Sequence, residues 1–289
     1  MQKEITIPPH LTLIQAILLG ILQGLTEFLP VSSTAHMEVI PQLFKMEDPG
    51  ATFSAICQLG PIVAIIAYFR NDLAKYIKGM GRTSGLKRLK VDADGRIGWF
   101  TVMGTLPLMV FGLLLEHKID TSFRSLKLTA ASLIILALVL LAAEMVGKRN
   151  RNLETMTLKE SQVIGWAQVF ALIPGTSRSG VTMTAGLFQG LDRESAARFS
   201  FLLSIPAITL AGLYKVYKAA KGGGIGGELV PDLVAALVAG VVAYVIINWF
   251  LGFMKEHTTK GFIVYRIALG VLILILLRAN YLHVPPVAP

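Results

Sequence analysis

Apolar residues along this chain gather into runs near 53 to 69, 97 to 115, 126 to 145, 195 to 214, 230 to 252 and 262 to 279. A helix needs about 20 mostly apolar residues to cross the hydrocarbon of a bilayer, so these runs predict six transmembrane helices. Two further stretches are apolar but interrupted. Residues 11 to 43 break at Pro30, before Val-Ser-Ser-Thr, and residues 161 to 190 break at Pro174, before Gly-Thr-Ser-Arg-Ser-Gly. Each half is too short to cross. Irregular polar backbone at membrane depth is tolerated only where protein buries it or where it lines a wet cavity, so both stretches predict re-entrant helix hairpins. The expected fold class is an all-α integral membrane protein: six transmembrane helices plus two re-entrant hairpins, in one polytopic domain.

The halves share an order, one broken hairpin followed by three spans, over approximately residues 11–145 and 161–279. Aligning Pro30 with Pro174 sets Ser32 opposite Thr176 and Ser33 opposite Ser177; a two-residue offset then brings Phe53-Ser54 opposite Phe199-Ser200. Three crossings is an odd number, so the second copy is expected to be inverted. Inverted-topology repeats place a site between them, near the midplane.

Composition supports the membrane class. The 289 residues are 54% hydrophobic and 16% charged, with a mean hydropathy of +0.63, which excludes a soluble domain, a disordered chain and a disulfide scaffold. The 27 Lys and Arg against 18 Asp and Glu give a net charge of +9, which in a soluble protein would suggest nucleic acid. Without a soluble basic domain that partner is excluded, and loops facing anionic lipid account for the excess. Placing residues 70 to 96 in the cytoplasm gathers seventeen Lys and Arg on that side, Arg266 among them. Nine fall on the other side, including Lys3, Lys118 and Arg124, and Arg178 is left inside the membrane. Both termini then lie outside, Gly222-Gly223-Gly224 reads as a flexible outer loop, and residues 80 to 96 read as a mobile basic inner one. The N-terminus, with Lys3, Glu4, Pro8 and Pro9, has no cleavage pattern after its first apolar run and reads as retained. Cys57 is the sole cysteine and is expected to be an inert buried thiol.

The first hairpin carries Gln23, Glu27, Ser32, Ser33, Thr34 and His36. Gln23 and Glu27 are four apart and share a helix face. A carboxylate in an apolar segment is costly unless paired, solvated, metal-bound or protonated, so Glu27 is a candidate functional group. Ser32, Ser33 and Thr34 offer caps for the helix that follows, and helical spacing lets the ring of His36 face the same cavity as a general acid or base. In the second hairpin Thr176, Ser177, Arg178 and Ser179 open another helix. Two helix N-termini facing each other, with Arg178 between them, suit a phosphate; a plain ion pair with Glu27 is the other reading of that arginine. Gln58 is a further polar group at membrane depth, suited either to ligand contact or to a bond between helices.

The stretches Q-G-L-T-E-F-L-P-V-S-S-T-A-H at 23 to 36 and P-G-T-S-R-S-G-V-T-M at 174 to 183 resemble the undecaprenyl-diphosphate phosphatases, also called bacitracin-resistance proteins. The likeness extends over essentially the whole chain. It maps the family's acidic motif onto Gln23 and Glu27, its serine and histidine onto Ser33 and His36, and its arginine motif onto Ser177 and Arg178. Gln23 stands where the motif also allows Glu, which leaves a single carboxylate. The resemblance implies hydrolysis of a C55 isoprenoid pyrophosphate in the bacterial cytoplasmic membrane, at a site opening to the periplasmic face. It also implies a divalent cation, expected to be magnesium, with Glu27 as a ligand.

Residue chemistry fits that activity. Phosphoryl transfer needs charge neutralisation, an in-line nucleophile and a proton donor. Arg178 and the helix N-termini are assigned to the pyrophosphate and His36 to proton transfer, with Gln23, Ser32, Thr34, Gln58, Thr176, Ser177 and Ser179 as further substrate contacts. Either Ser33 is the nucleophile with Glu27 as its base, or Glu27 and His36 activate a water. The expected partners are a polyprenyl pyrophosphate and membrane lipids, with a homodimer admitted. A lipid-phosphate transporter or flippase is the rival class, since broken hairpins in inverted repeats also build transporters. A second type of membrane phosphatase, marked by Ser-Arg and a nearby histidine, is disfavoured because none follows Arg178 before His257.

Overall fold

The computed structural model describes residues 11–46, 50–82, 92–115, 125–221 and 229–283. Lys3, Glu4, Pro8, Pro9, Lys118, Arg124, the Gly222 to Gly224 segment and positions 83 to 91 of the basic inner segment lie outside the described residues.

Helix α1 (Leu13–Phe28) begins at Thr12, which forms a capping box with Gln15. It ends where Pro30 forces Leu29 into extended backbone. Helix α2 (Ser33–Leu43) completes the first broken stretch. The apolar run expected over 53 to 69 is two helices, α3 (Gly50–Cys57) and α4 (Leu59–Tyr68), interrupted at Gln58. At Phe69 the chain bends by 70° into α5 (Arg70–Arg82), which buries Tyr76 and Gly79 and exposes Lys75 and Lys78. Part of the expected basic loop is therefore an amphipathic helix. Helix α6 (Ala93–Leu114) is capped by Asp92, whose carboxylate accepts the Gly95 N–H at 3.0 Å; that bond holds the carboxyl below its ordinary pKa. Helix α7 (Leu126–Val146) ends the first half.

The second half opens with α8 (Leu158–Gln168), started by a Thr157–Glu160 capping box and followed by a 3-10 turn over Val169–Leu172. Then come α9 (Arg178–Phe188), α10 (Arg193–Lys221), α11 (Leu229–Glu256) and α12 (Lys260–Arg278). Five helices, α6, α7, α10, α11 and α12, are long and apolar enough to cross a membrane, and there are six if the bent run through α3, α4 and α5 is counted as one span. Among the described residues there is no strand, only one bridge between Arg151 and Leu191. The chain is an all-α membrane protein, as the apolar pattern predicts.

Small residues let the broken stretches press against spans from the opposite half. Helix α1 packs on α11, where a Cβ on Gly20 or Gly24 would come within 2.6 Å of the carbonyl oxygen of Ala235 or Ala239. Helix α8 packs on α6, where a Cβ on Gly165 would lie 2.3 Å from the Gly104 oxygen. Helix α7 packs on α12, and α10 on both α3 and α6.

One end of the bundle is tied by charge. Glu144, near the end of α7 with its side chain 2% exposed, accepts from Arg149, from Arg193 Nε at 2.7 Å and from the Thr259 hydroxyl at 2.8 Å. Arg198 pairs with Asp72 at 2.5 Å, Arg151 pairs with Glu160, and Arg96 donates to the Glu154 carbonyl. Removing Glu144 leaves two part-buried guanidiniums and a buried hydroxyl without their shared acceptor. Glu144→Ala is expected to cost about 3 kcal/mol, the lower end for breaking a buried pair because both arginines reach solvent. Unfolding midpoints of detergent-solubilised protein check it, and an unchanged midpoint would show that the knot adds nothing.

Candidate active site

The two breaks are built alike. Ser32 and Ser177, the caps of α2 and α9, both have positive φ, 73° and 64°, which non-glycine residues adopt at a cost of roughly 1 kcal/mol or more. Each side-chain oxygen accepts a first-turn N–H, from Ala35 at 3.4 Å and from Gly180 at 3.2 Å. The shared cap geometry pairs Ser32 with Ser177 and Ser33 with Arg178, one residue away from the alignment through the prolines. The extra residue is accommodated at Gly175, whose φ is +84° and where a Cβ would meet the Thr129 oxygen of α7 at 2.2 Å.

Between the breaks lies a cavity of about 220 Å³, partly open to the outside. Its polar wall is Glu27, Ser32, Ser33, Thr34, Gln58, Ser177 and Arg178; its apolar wall includes Leu108 of α6 and Ala207, Ile208, Ala211 and Gly212 of α10. Glu27 joins the two hairpins. Its Oε1 accepts from Arg178 Nη2 at 3.0 Å, and its Oε2 accepts from the Ser33 hydroxyl at 2.8 Å and from Gln23 Nε2 at 3.0 Å. Both readings of Arg178 therefore meet in one place: it pairs with Glu27, and it faces the cavity. Gln23 also donates to Gln58 Oε1 at 2.9 Å, while the buried Gln58 amide nitrogen finds no hydrogen-bond partner among the described residues.

Four expected contacts sit behind the wall. Gln23 is buried and fixes Glu27 and Gln58. The Ser179 hydroxyl donates to the Leu29 carbonyl at 2.9 Å, binding the breaks together. Thr176 is fully buried, and its hydroxyl finds no partner among the described residues. His36 turns back from the cavity, its Nδ1 lying 2.7 Å from the Ser32 carbonyl and its Nε2 2.6 Å from the Tyr265 hydroxyl. A carbonyl only accepts, so Nδ1 carries the proton and Nε2 accepts from Tyr265. As the N-cap of α2, Ser32 directs its carbonyl along the helix toward position i+4, and the ring closes on it. Cys57 is buried and free, as expected of a packing thiol.

Arg266 is the residue that sequence reasoning missed. Counted among the charges of the membrane face, it is instead fully buried and donates to the carbonyls of Pro30, Gly175 and Thr176. Its depth was legible: six residues past Lys260, it sits about 9 Å inside α12 at 1.5 Å per residue.

A metal ion would find one carboxylate here. Among the described residues no three His, Cys, Asp or Glu side chains come together. Glu27, with the Ser33 hydroxyl oxygen beside it, fits a magnesium ion that takes its remaining ligands from phosphate and water, whereas Gln23 turns its amide nitrogen to the carboxylate and adds no ligand.

Fold and cavity together define an integral membrane protein with a polar chamber between two helix breaks. The chain belongs to the bacitracin resistance protein BacA family, whose model matches residues 16–272. It is 46% identical over 267 residues to the undecaprenyl-diphosphatase of Renibacterium salmoninarum, covering 91% of this chain and 95% of that one. It is 48% identical over 283 residues to that of Chlorobium phaeobacteroides, covering 94% and 100%, and 45% identical over 280 residues to that of Myxococcus xanthus, covering 94% and 91%. Family and helices make it a multi-pass bacterial membrane protein.

Proposed function

We propose that this chain is a phosphatase that hydrolyses undecaprenyl pyrophosphate to undecaprenyl phosphate and inorganic phosphate. It thereby recycles the cell-wall lipid carrier and supports bacitracin resistance. The observation that carries the reading is the run from Ser33 through Glu27 to Arg178 at 2.8 and 3.0 Å, a hydroxyl, its acceptor and a guanidinium at one cavity wall. The relatives' printed activity points the same way and does not favour the transporter class.

Ser33 Oγ attacks the terminal phosphorus, and its proton passes to Glu27 Oε2. The bond from that phosphorus to the bridging oxygen breaks in line, and the prenyl monophosphate departs with the electron pair while Arg178 meets the developing charge. Glu27 releases its proton to water in the cavity. A water then attacks the phosphoserine; Glu27 takes the water's proton and returns it to Ser33 Oγ as that ester bond breaks, freeing phosphate. Gln58 lines the cavity, its side-chain oxygen held by Gln23. His36 holds the Ser32 turn, with Tyr265 fixing its tautomer. Magnesium would be held by Glu27 with the Ser33 oxygen alongside, and would supply further charge neutralisation.

Two wider readings accompany this one. Exchanging the halves converts the α1–α11 contact into the α8–α6 contact and leaves α7–α12 unchanged, which supports inverted repeats about the site. The charged end, rich in Arg and Lys, is assigned to the cytoplasm by the positive-inside rule. The cavity's α6 and α10 residues lie more than ten positions beyond Arg96 and Arg193, so its mouth faces the periplasm.

The test is phosphate release by purified protein in detergent from a long-chain polyprenyl pyrophosphate. Release without any ion gradient is expected, lowered at least about tenfold by a chelator and restored by magnesium. No release from monodisperse wild type would overturn the hydrolase reading, and indifference to chelator would remove the metal from it.

A further inference from the structure

We propose that Arg266 is a positioning residue for phosphoryl transfer: its guanidinium holds the two breaks together through their carbonyls and so sets Ser33 against Arg178. The inference rests on the phosphatase reading. Arg266 is fully buried, and its Nη2 donates to the Thr176 carbonyl at 2.8 Å and the Gly175 carbonyl at 3.4 Å, while Nη1 reaches the Pro30 carbonyl at 3.5 Å. These carbonyls lie just ahead of the caps Ser32 and Ser177, so one planar group fixes where both helix starts begin.

Space for it is reserved. A Cβ on Gly180, in the first turn of α9, would stand 2.5 Å from Nη1. The location is otherwise unfavourable for a cation, being desolvated, beside the positive ends of two helices, and without a carboxylate partner among the described residues. An apolar side chain of that volume would fill the gap without desolvating a charge. What it would not do is donate to two separate chain segments at once. The second consequence is electrostatic: a fixed positive charge behind the phosphate-binding helix starts favours a multiply charged anion in front of them.

The experiment compares kcat and KM for polyprenyl pyrophosphate in wild type, Arg266→Lys and Arg266→Gln, each checked for monodispersity and unfolding midpoint. A lysine keeps the charge but does not span both breaks. Its kcat is expected to fall about tenfold or more with KM within about threefold of wild type, whereas Gln should lose about a hundredfold in kcat and also raise KM. Folded variants that lose only thermal stability, with kcat within about threefold of wild type, would reduce Arg266 to a packing residue and overturn the proposal. Should neither variant yield folded protein, Gly180→Ala decides. It displaces the guanidinium while keeping its charge, and undiminished kcat there is equally fatal. An inactive wild type would instead defeat the phosphatase reading and take this inference with it.

Discussion

Arg178→Ala is expected to lower phosphate release by about a thousandfold, the upper range for deleting one preorganised donor to developing charge. The arginine side chain is only 12% exposed and its partner Glu27 only 8%, so the substitution acts twice. It removes the charge-assisted fork that would meet the leaving phosphate, and it strands a buried carboxylate with no cation beside it. Arg178→Lys should fall between the two, since a single ammonium reaches Glu27 or the phosphate but does not present parallel donors to both. Turnover numbers with purified, monodisperse protein check this, and an alanine variant within about threefold of wild type would remove Arg178 from the chemistry.

Ser33→Ala is expected to cost about a thousandfold or more, because it deletes the attacking atom itself. The 2.8 Å bond to Glu27 Oε2 places the hydroxyl where a base can take its proton, and Ser33 lies on the cavity wall. A terminally labelled substrate, quenched in acid during turnover, should leave label on Ser33. Residual turnover above about a tenth of wild type, with no trapped label, would transfer attack to a water held by Glu27.

Much of this was written in the chain. Six apolar runs and two proline breaks foretold the helices, because the bilayer imposes length and backbone satisfaction on any segment that enters it. Glu27, Ser33 and Arg178 announced themselves as polar groups where polar groups are costly, and the fold brings all three together. What the pattern did not give has physical causes. His36 has the right spacing to face the cavity, and its ring is held between the Ser32 carbonyl and the hydroxyl of Tyr265, a partner 229 residues away that no local period encodes. Arg266 resembled a membrane-face charge because six residues can be a short distance from an interface or a full turn and more inside the bundle. Gln58 interrupts an apolar run with one residue, too little to separate α3 from α4 by pattern alone.

Glu27 and Arg178 are 151 residues apart in the chain, and Pro30 and Arg266 are 236 apart. At a ribosome's pace of about 5–20 residues per second, the first hairpin waits on the order of ten seconds for its arginine, and longer for Arg266. During that interval the carboxylate must be protonated or hydrated, and the first break must be held by its own cap alone. The chamber is thus a product of the finished polypeptide. A ribosome that stops after α7 leaves behind half a wall, and a cell that supplies the two halves as separate chains gives them a direct way to show whether each hairpin can wait for the other.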